Sequence, residues 1–185
     1  MIPEQARGLK DDAAAVSAEA RALTAGMDAG ALMARPKDGG WSVGENLQHL
    51  ILTADAMLPL GEGAVAELER AGRRSDRRTG LGFMGWLLVQ SLEPPRMKTK
   101  TLKAFEPIDV GEPLTLTDRF VATNDRLARL IDRATGLATG TVTLTSPFNA
   151  KVTYNLYAAM RILLVHARRH LWQARAAKGR VTGGA

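Results

Sequence analysis

The chain has 185 residues, a net charge of +6 and no cysteine. That length suits one domain with a core large enough to stand without covalent staples. The missing cysteines exclude disulfides, thiolate metal sites and cysteine nucleophiles. The opening "MIPEQARGLKDD" lacks the basic and apolar regions of a signal peptide. The apolar runs "LGFMGWLLV" and "AAMRILLVHA" are too short or too interrupted to span a bilayer. The reading is a soluble, cytoplasmic protein with no membrane partner.

The first predicted element is a helix over about residues 3–25. Leu9, Ala13, Val16, Ala20 and Leu23 form its apolar stripe, with Pro3 in the first turn and Gly26 as the stop. At most one short helical turn follows in "DAGALMARPKDGG". The second long helix starts after Ser42, because "SVGE" places Glu45 three residues beyond a Ser cap and so forms a capping box. Leu47, Leu50, Ile51, Ala54, Leu58, Val65 and Leu68 carry its stripe to about residue 70. Pro59 removes an internal hydrogen bond, so it and Gly61 predict a kink.

Residues 71–113 read as a long crossover. "TGLGFMGWLLVQSL" suits one short helix, whereas "EPPRMKTKTLKAFEPIDVGEP" is broken by four prolines and carries Arg96, Lys98, Lys100 and Lys103. Loops of this length are usually functional or disordered. The third long helix lies in "LTDRFVATNDRLARLIDRA", with Phe120, Leu127, Leu130 and Ile131 inward. "GLATGTVTLTSPFNAKV" reads as a loop with a short extended piece at 141–145. The fourth long helix is expected over about 153–178, with residues 178–185 as a disordered tail.

Four long helices predict an all-α four-helix bundle. A short loop makes neighbours antiparallel, whereas the long crossover lets the second and third helices run parallel. The expected order is up-down-down-up, in one domain over residues 1–185.

That topology gives the three histidines a common level. His49 lies seven residues past Ser42, roughly 10 Å into its helix, and His170 lies eight residues before Lys178, roughly 12 Å from the end of its own. His166 and His170 form H-x-x-x-H, which puts both on one helix face. Three neutral imidazoles around one point suit a borderline divalent metal, with Zn or Ni foremost. Three protein ligands leave a position open, as in catalytic sites. Glu45, Asn46 and Gln173 are candidates to hydrogen-bond the other ring nitrogens. Arg168, Arg169, Lys98 and Lys100 are candidates to hold an anion.

"GGWSVGENLQHL", "HARRHLWQ" and "PPRMKTKTLKAFEP", in their order and spacing, resemble the DinB/YfiT-like superfamily. The resemblance implies a four-helix bundle with a metal held by His49, His166 and His170. It also implies a homodimer, and a low-molecular-weight thiol such as bacillithiol or mycothiol as cosubstrate in an S-transfer to an unidentified small molecule. Metal-dependent hydrolysis and a non-catalytic metal-binding stress-response bundle are the alternatives. The basic charge alone suggests nucleic acid, which is not expected as a partner because no recognition motif accompanies it.

Overall fold

The computed structural model describes residues 1–94 and 103–183. Its helices are α1 (Pro3–Thr24), α2 (Ala29–Met33), α3 (Val43–Arg70), α4 (Gly82–Leu92), α5 (Leu116–Ala134) and α6 (Leu156–Thr182). A two-stranded antiparallel hairpin, β1 (Thr143–Ser146) and β2 (Asn149–Asn155), precedes α6. The fold is therefore mostly helical with a small hairpin. Among the described residues no helix is long and apolar enough to cross a membrane.

The long helices start and stop where local chemistry dictates. In α1, Pro3 opens the helix and Gly26 sits just beyond its end at φ 72°, a left-handed conformation that suits glycine. The capping box at α3 is present in both directions. Glu45 N donates to Ser42 Oγ at 3.1 Å, and Ser42 N donates to a Glu45 carboxylate oxygen at 2.8 Å. The helix continues unbroken through Pro59.

Four helices, α1, α3, α5 and α6, pack around the core. Ion pairs along their seams record their relative directions. Glu62 pairs with Arg126 and Glu69 with Arg133, so the residue numbers of α3 and α5 rise together. Lys10 pairs with Asp132 and Arg21 with Asp118, so α1 and α5 run in opposite senses. Asp12 meets Arg161 and Glu19 meets Arg175, which makes α1 and α6 parallel. Gly61 lets α3 approach α5 closely, since a Cβ there would stand 2.8 Å from Leu130 Cδ2.

Among the described residues the interior divides into three apolar clusters. One gathers Leu9, Leu58, Leu68, Leu127, Ile131, Leu156 and Leu164. A second gathers Val16, Leu23, Leu47, Ile51, Phe120 and Leu171. The third joins Met57, Val89, Tyr154, Ala158 and Ile162, and so seats α4 and the hairpin on the bundle. Each buried Leu or Ile contributes about 1.5–3 kcal/mol relative to exposure. At the seat of α4, a Cβ on Gly85 would lie 2.5 Å from Ala158 Cβ, so only glycine permits this approach.

Three boundaries differ from the sequence reading. The extended piece expected at 141–145 is the first strand of a hairpin. Its partner takes Thr153, Tyr154 and Asn155, which pair with Thr145, Leu144 and Thr143. The last long helix consequently begins at Leu156 rather than at residue 153, where Asn155 caps it by accepting from Ala158 N at 2.8 Å. It then runs to Thr182, so residues 178–182 are helix rather than tail. Lys98 and Lys100 lie outside the described residues.

Candidate metal centre

His49 sits in the second turn of α3, which the capping box anchors. His166 and His170 project one turn apart from α6. One potential ligand atom from each of the three lies within 4.8 Å of the others. The ring centroids of His49 are 5.1 Å from those of His166 and 4.4 Å from those of His170, and His166 and His170 are 4.6 Å apart. Trp41, just before the cap, covers this cluster. Its ring lies 4.9 Å from His49 and is stacked on His170 at 5.8 Å and 24°.

Hydrogen bonds set the tautomers of two rings. His49 Nδ1 lies 2.7 Å from the carbonyl oxygen of Phe105. A carbonyl only accepts, so Nδ1 carries the proton and the neutral ring keeps its Nε2 lone pair. His170 Nδ1 lies 3.0 Å from Asn46 Oδ1, while Asn46 Nδ2 donates to Ser42 O at 2.9 Å. The amide is thereby oriented to accept, and His170 also keeps a bare Nε2.

His49 Nε2 and His166 Nε2 stand 3.3 Å apart. Two nitrogens bound tetrahedrally at ordinary Zn–N lengths are separated by about 3.3 Å. The donor set and this spacing fit a borderline divalent cation.

The electrostatics keep the rings neutral. Burial drives the pKa of His166 down to about 3, helped by His49 and the Arg169 guanidinium. Burial, then His166, His49 and Arg169, holds His170 well below the usual imidazole range. Burial also lowers His49, against the opposing hydrogen bond to Phe105. Neutral imidazole is the form that binds a metal.

The other expected site residues divide. Asn46 contacts His170. Glu45 does not serve a ring: its carboxylate is held by Arg35 and by Ser42 N. Burial raises its pKa, but the hydrogen bonds from Arg35 and Ser42 outweigh this and keep it below the usual carboxylate range. Gln173 is half-buried on α6, and no hydrogen bond joins it to a histidine among the described residues. Arg169 is buried beside the cluster, close enough to depress both α6 histidines. Arg168 instead turns to Glu93 at 2.9 Å and Asp12 at 3.4 Å, so acidic side chains already hold the guanidinium proposed to bind an anion.

Two contributors escaped the sequence reading. The Phe105 acceptor is a backbone carbonyl, which no side-chain pattern marks. The Phe105 ring meets the hairpin, where Phe148 packs edge-on against it at 4.6 Å and 68°. Trp41 stood in plain view beside the cap, but its contact with His170 on another helix depends on packing.

Residues 14–174 match the profile of the DinB superfamily, and the chain belongs to that superfamily. No curated protein and no solved structure matches it.

Proposed function

We propose that this protein is a divalent-metal-dependent enzyme that joins a low-molecular-weight thiol to a small electrophile, with His49, His166 and His170 as the metal ligands. The up-down-down-up helix order belongs to this reading and is supported by the ion-pair registers. The convergence of three neutral imidazoles is the observation that carries it. A bound divalent cation would supply a Lewis acid with a position open to a thiol sulfur or to water.

The chain's own residues prepare that position. Phe105 O and Asn46 Oδ1 orient His49 and His170 so that their Nε2 lone pairs face inward. Trp41 shields two of the rings from water. The charge of Arg169 favours an anionic ligand over a neutral one. Every histidine is engaged in the cluster, so no serine or threonine acquires a histidine base, which favours a nucleophile activated at the metal. Cytoplasmic location and a homodimer complete the reading.

The test supplies Zn2+- or Ni2+-loaded protein with several low-molecular-weight thiols and monochlorobimane. Conjugation above the uncatalysed rate, lost in His166→Ala, is expected. Catalysis with no thiol at all, measured on ester substrates, would favour metal-dependent hydrolysis. The apolar side chains of Leu50, Ala54, Leu58, Leu127 and Leu163 that line a cavity with His166 favour a second reading, a non-catalytic metal-binding bundle. Metal uptake without either activity would select it.

A further inference from the structure

His166 differs from its two partners. Phe105 O faces His49 Nδ1 and Asn46 Oδ1 faces His170 Nδ1, but no protein group hydrogen-bonds His166 Nδ1 among the described residues. His166 also lines a cavity of about 10 Å³ between α3, α5 and α6, together with Thr53, Thr123 and Asn124 and several apolar side chains. That volume accommodates about one water.

The polar groups of this cavity are unequal. Thr53 donates its hydroxyl proton to Leu50 O at 3.0 Å, and Thr123 donates to Phe120 O at 2.7 Å. Asn124 is only 6% exposed, and among the described residues its side chain makes one hydrogen bond, a long 3.5 Å contact from Nδ2 to Phe120 O. Its Oδ1 therefore keeps both lone pairs. The only fully enclosed polar side-chain atom without a partner among the described residues is Gln48 Oε1. Asn124 and His166 both line this cavity.

We propose that Asn124 is a positioning residue for His166 and acts through one water held in this cavity. The inference rests on the reading of the histidines as metal ligands. The chemistry explains why an amide and a water, rather than a fixed acceptor, belong here. Without metal, the bare Nε2 of His49 accepts at 3.3 Å from His166, which then carries its proton on Nε2 and presents Nδ1 as an acceptor. The water donates to it. With metal, Nε2 must be bare and the proton moves to Nδ1, which now donates to the water. A water backed by Asn124 serves both states, because water and amide each donate and accept. His166 is then the ring that changes tautomer on loading, while His49 and His170 stay as they are.

The experiment compares wild type, Asn124→Leu and Asn124→Asp in two arms. In the first, Zn2+ affinity is measured by competition with a chelator, with circular dichroism as the control for folding. Outer hydrogen-bond partners of metal-binding histidines typically change affinity by about 10–100-fold. Asn124→Leu is expected to weaken binding within that range. Asn124→Asp, which keeps an acceptor, should bind at least as tightly as wild type. In the second arm, long-range 1H–15N spectra report the His166 tautomer. Wild type should change from Nε2–H to Nδ1–H on loading, and the metal-free Nδ1 shift should move in Asn124→Leu. Equal Zn2+ affinity in wild type and Asn124→Leu, or equal weakening in both variants, overturns the role of Asn124. Wild type that takes up no Zn2+ overturns the metal reading instead. The metal-free spectra then decide the bridge alone: an unmoved Nδ1 shift in Asn124→Leu rejects it.

Discussion

His49 Nε2 and His166 Nε2, 117 residues apart in the chain, stand 3.3 Å from each other across the α3–α6 seam. Two ring nitrogens that close share one proton or face one cation. Purified without a histidine tag, the protein is therefore expected to hold about one divalent metal per chain. His166→Ala should weaken binding sharply, and the triple alanine variant should abolish it. A triple variant with wild-type metal content, measured by elemental analysis, would remove the assignment.

The hairpin reaches the site through two rings. Phe148 packs on Phe105, whose carbonyl orients His49. Phe148→Ala should loosen that carbonyl and reduce Zn2+ affinity by about 10-fold. The helical circular dichroism spectrum should persist, since the bundle does not depend on the hairpin tip. Unchanged affinity would show that the carbonyl is held without Phe148.

The metal-free protein should lose stability in acid. An unfolded histidine titrates near 6.5, but folded His166 does so at about 3 and His170 well below 6.5. Above 6.5 both states are neutral and these groups contribute no pH dependence. As pH falls below 6.5, the unfolded chain binds protons that the folded chain refuses, so stability declines down to about pH 3. Urea unfolding of chelator-treated protein should show this decline. In the triple His→Ala variant the component due to the histidines should vanish. An identical pH profile in the two proteins would contradict the burial-driven shifts.

Gln48, beside His49 on α3, buries Oε1 with no hydrogen-bond partner among the described residues. A buried acceptor left unsatisfied costs about 1–3 kcal/mol. Gln48→Met keeps the length of the side chain and removes the orphan, and should raise stability by about 1 kcal/mol. Chemical denaturation would record this as a higher midpoint at constant slope. A lower midpoint would indicate that Gln48 Oε1 meets a polar ligand in solution.

Local chemistry written in consecutive residues was legible without coordinates. The Ser42–Glu45 box marks the start of α3 because both partners lie within one turn. The spacing of Phe120, Leu127, Leu130 and Ile131 identifies the inward face of α5, because apolar periodicity follows helix geometry. H-x-x-x-H places His166 and His170 on one face for the same reason. The hairpin was less legible, since β1 is short and β2 is mostly exposed along its length. Its pairing with β1, rather than any periodicity, withholds Thr153–Asn155 from α6.

The sequence by itself thus determined the long helices, the end signals of the first two and the pair of histidines on the last, since each depends on interactions within a few residues. Only the tertiary structure decided what the side chains meet. It turned Glu45 to Arg35 and Arg168 to acidic partners, and it brought the carbonyl of Phe105 to His49. It also enclosed Asn124 beside His166. These outcomes depend on the approach of segments distant in the chain, where burial and hydrogen-bond competition select among partners that local spacing leaves equivalent.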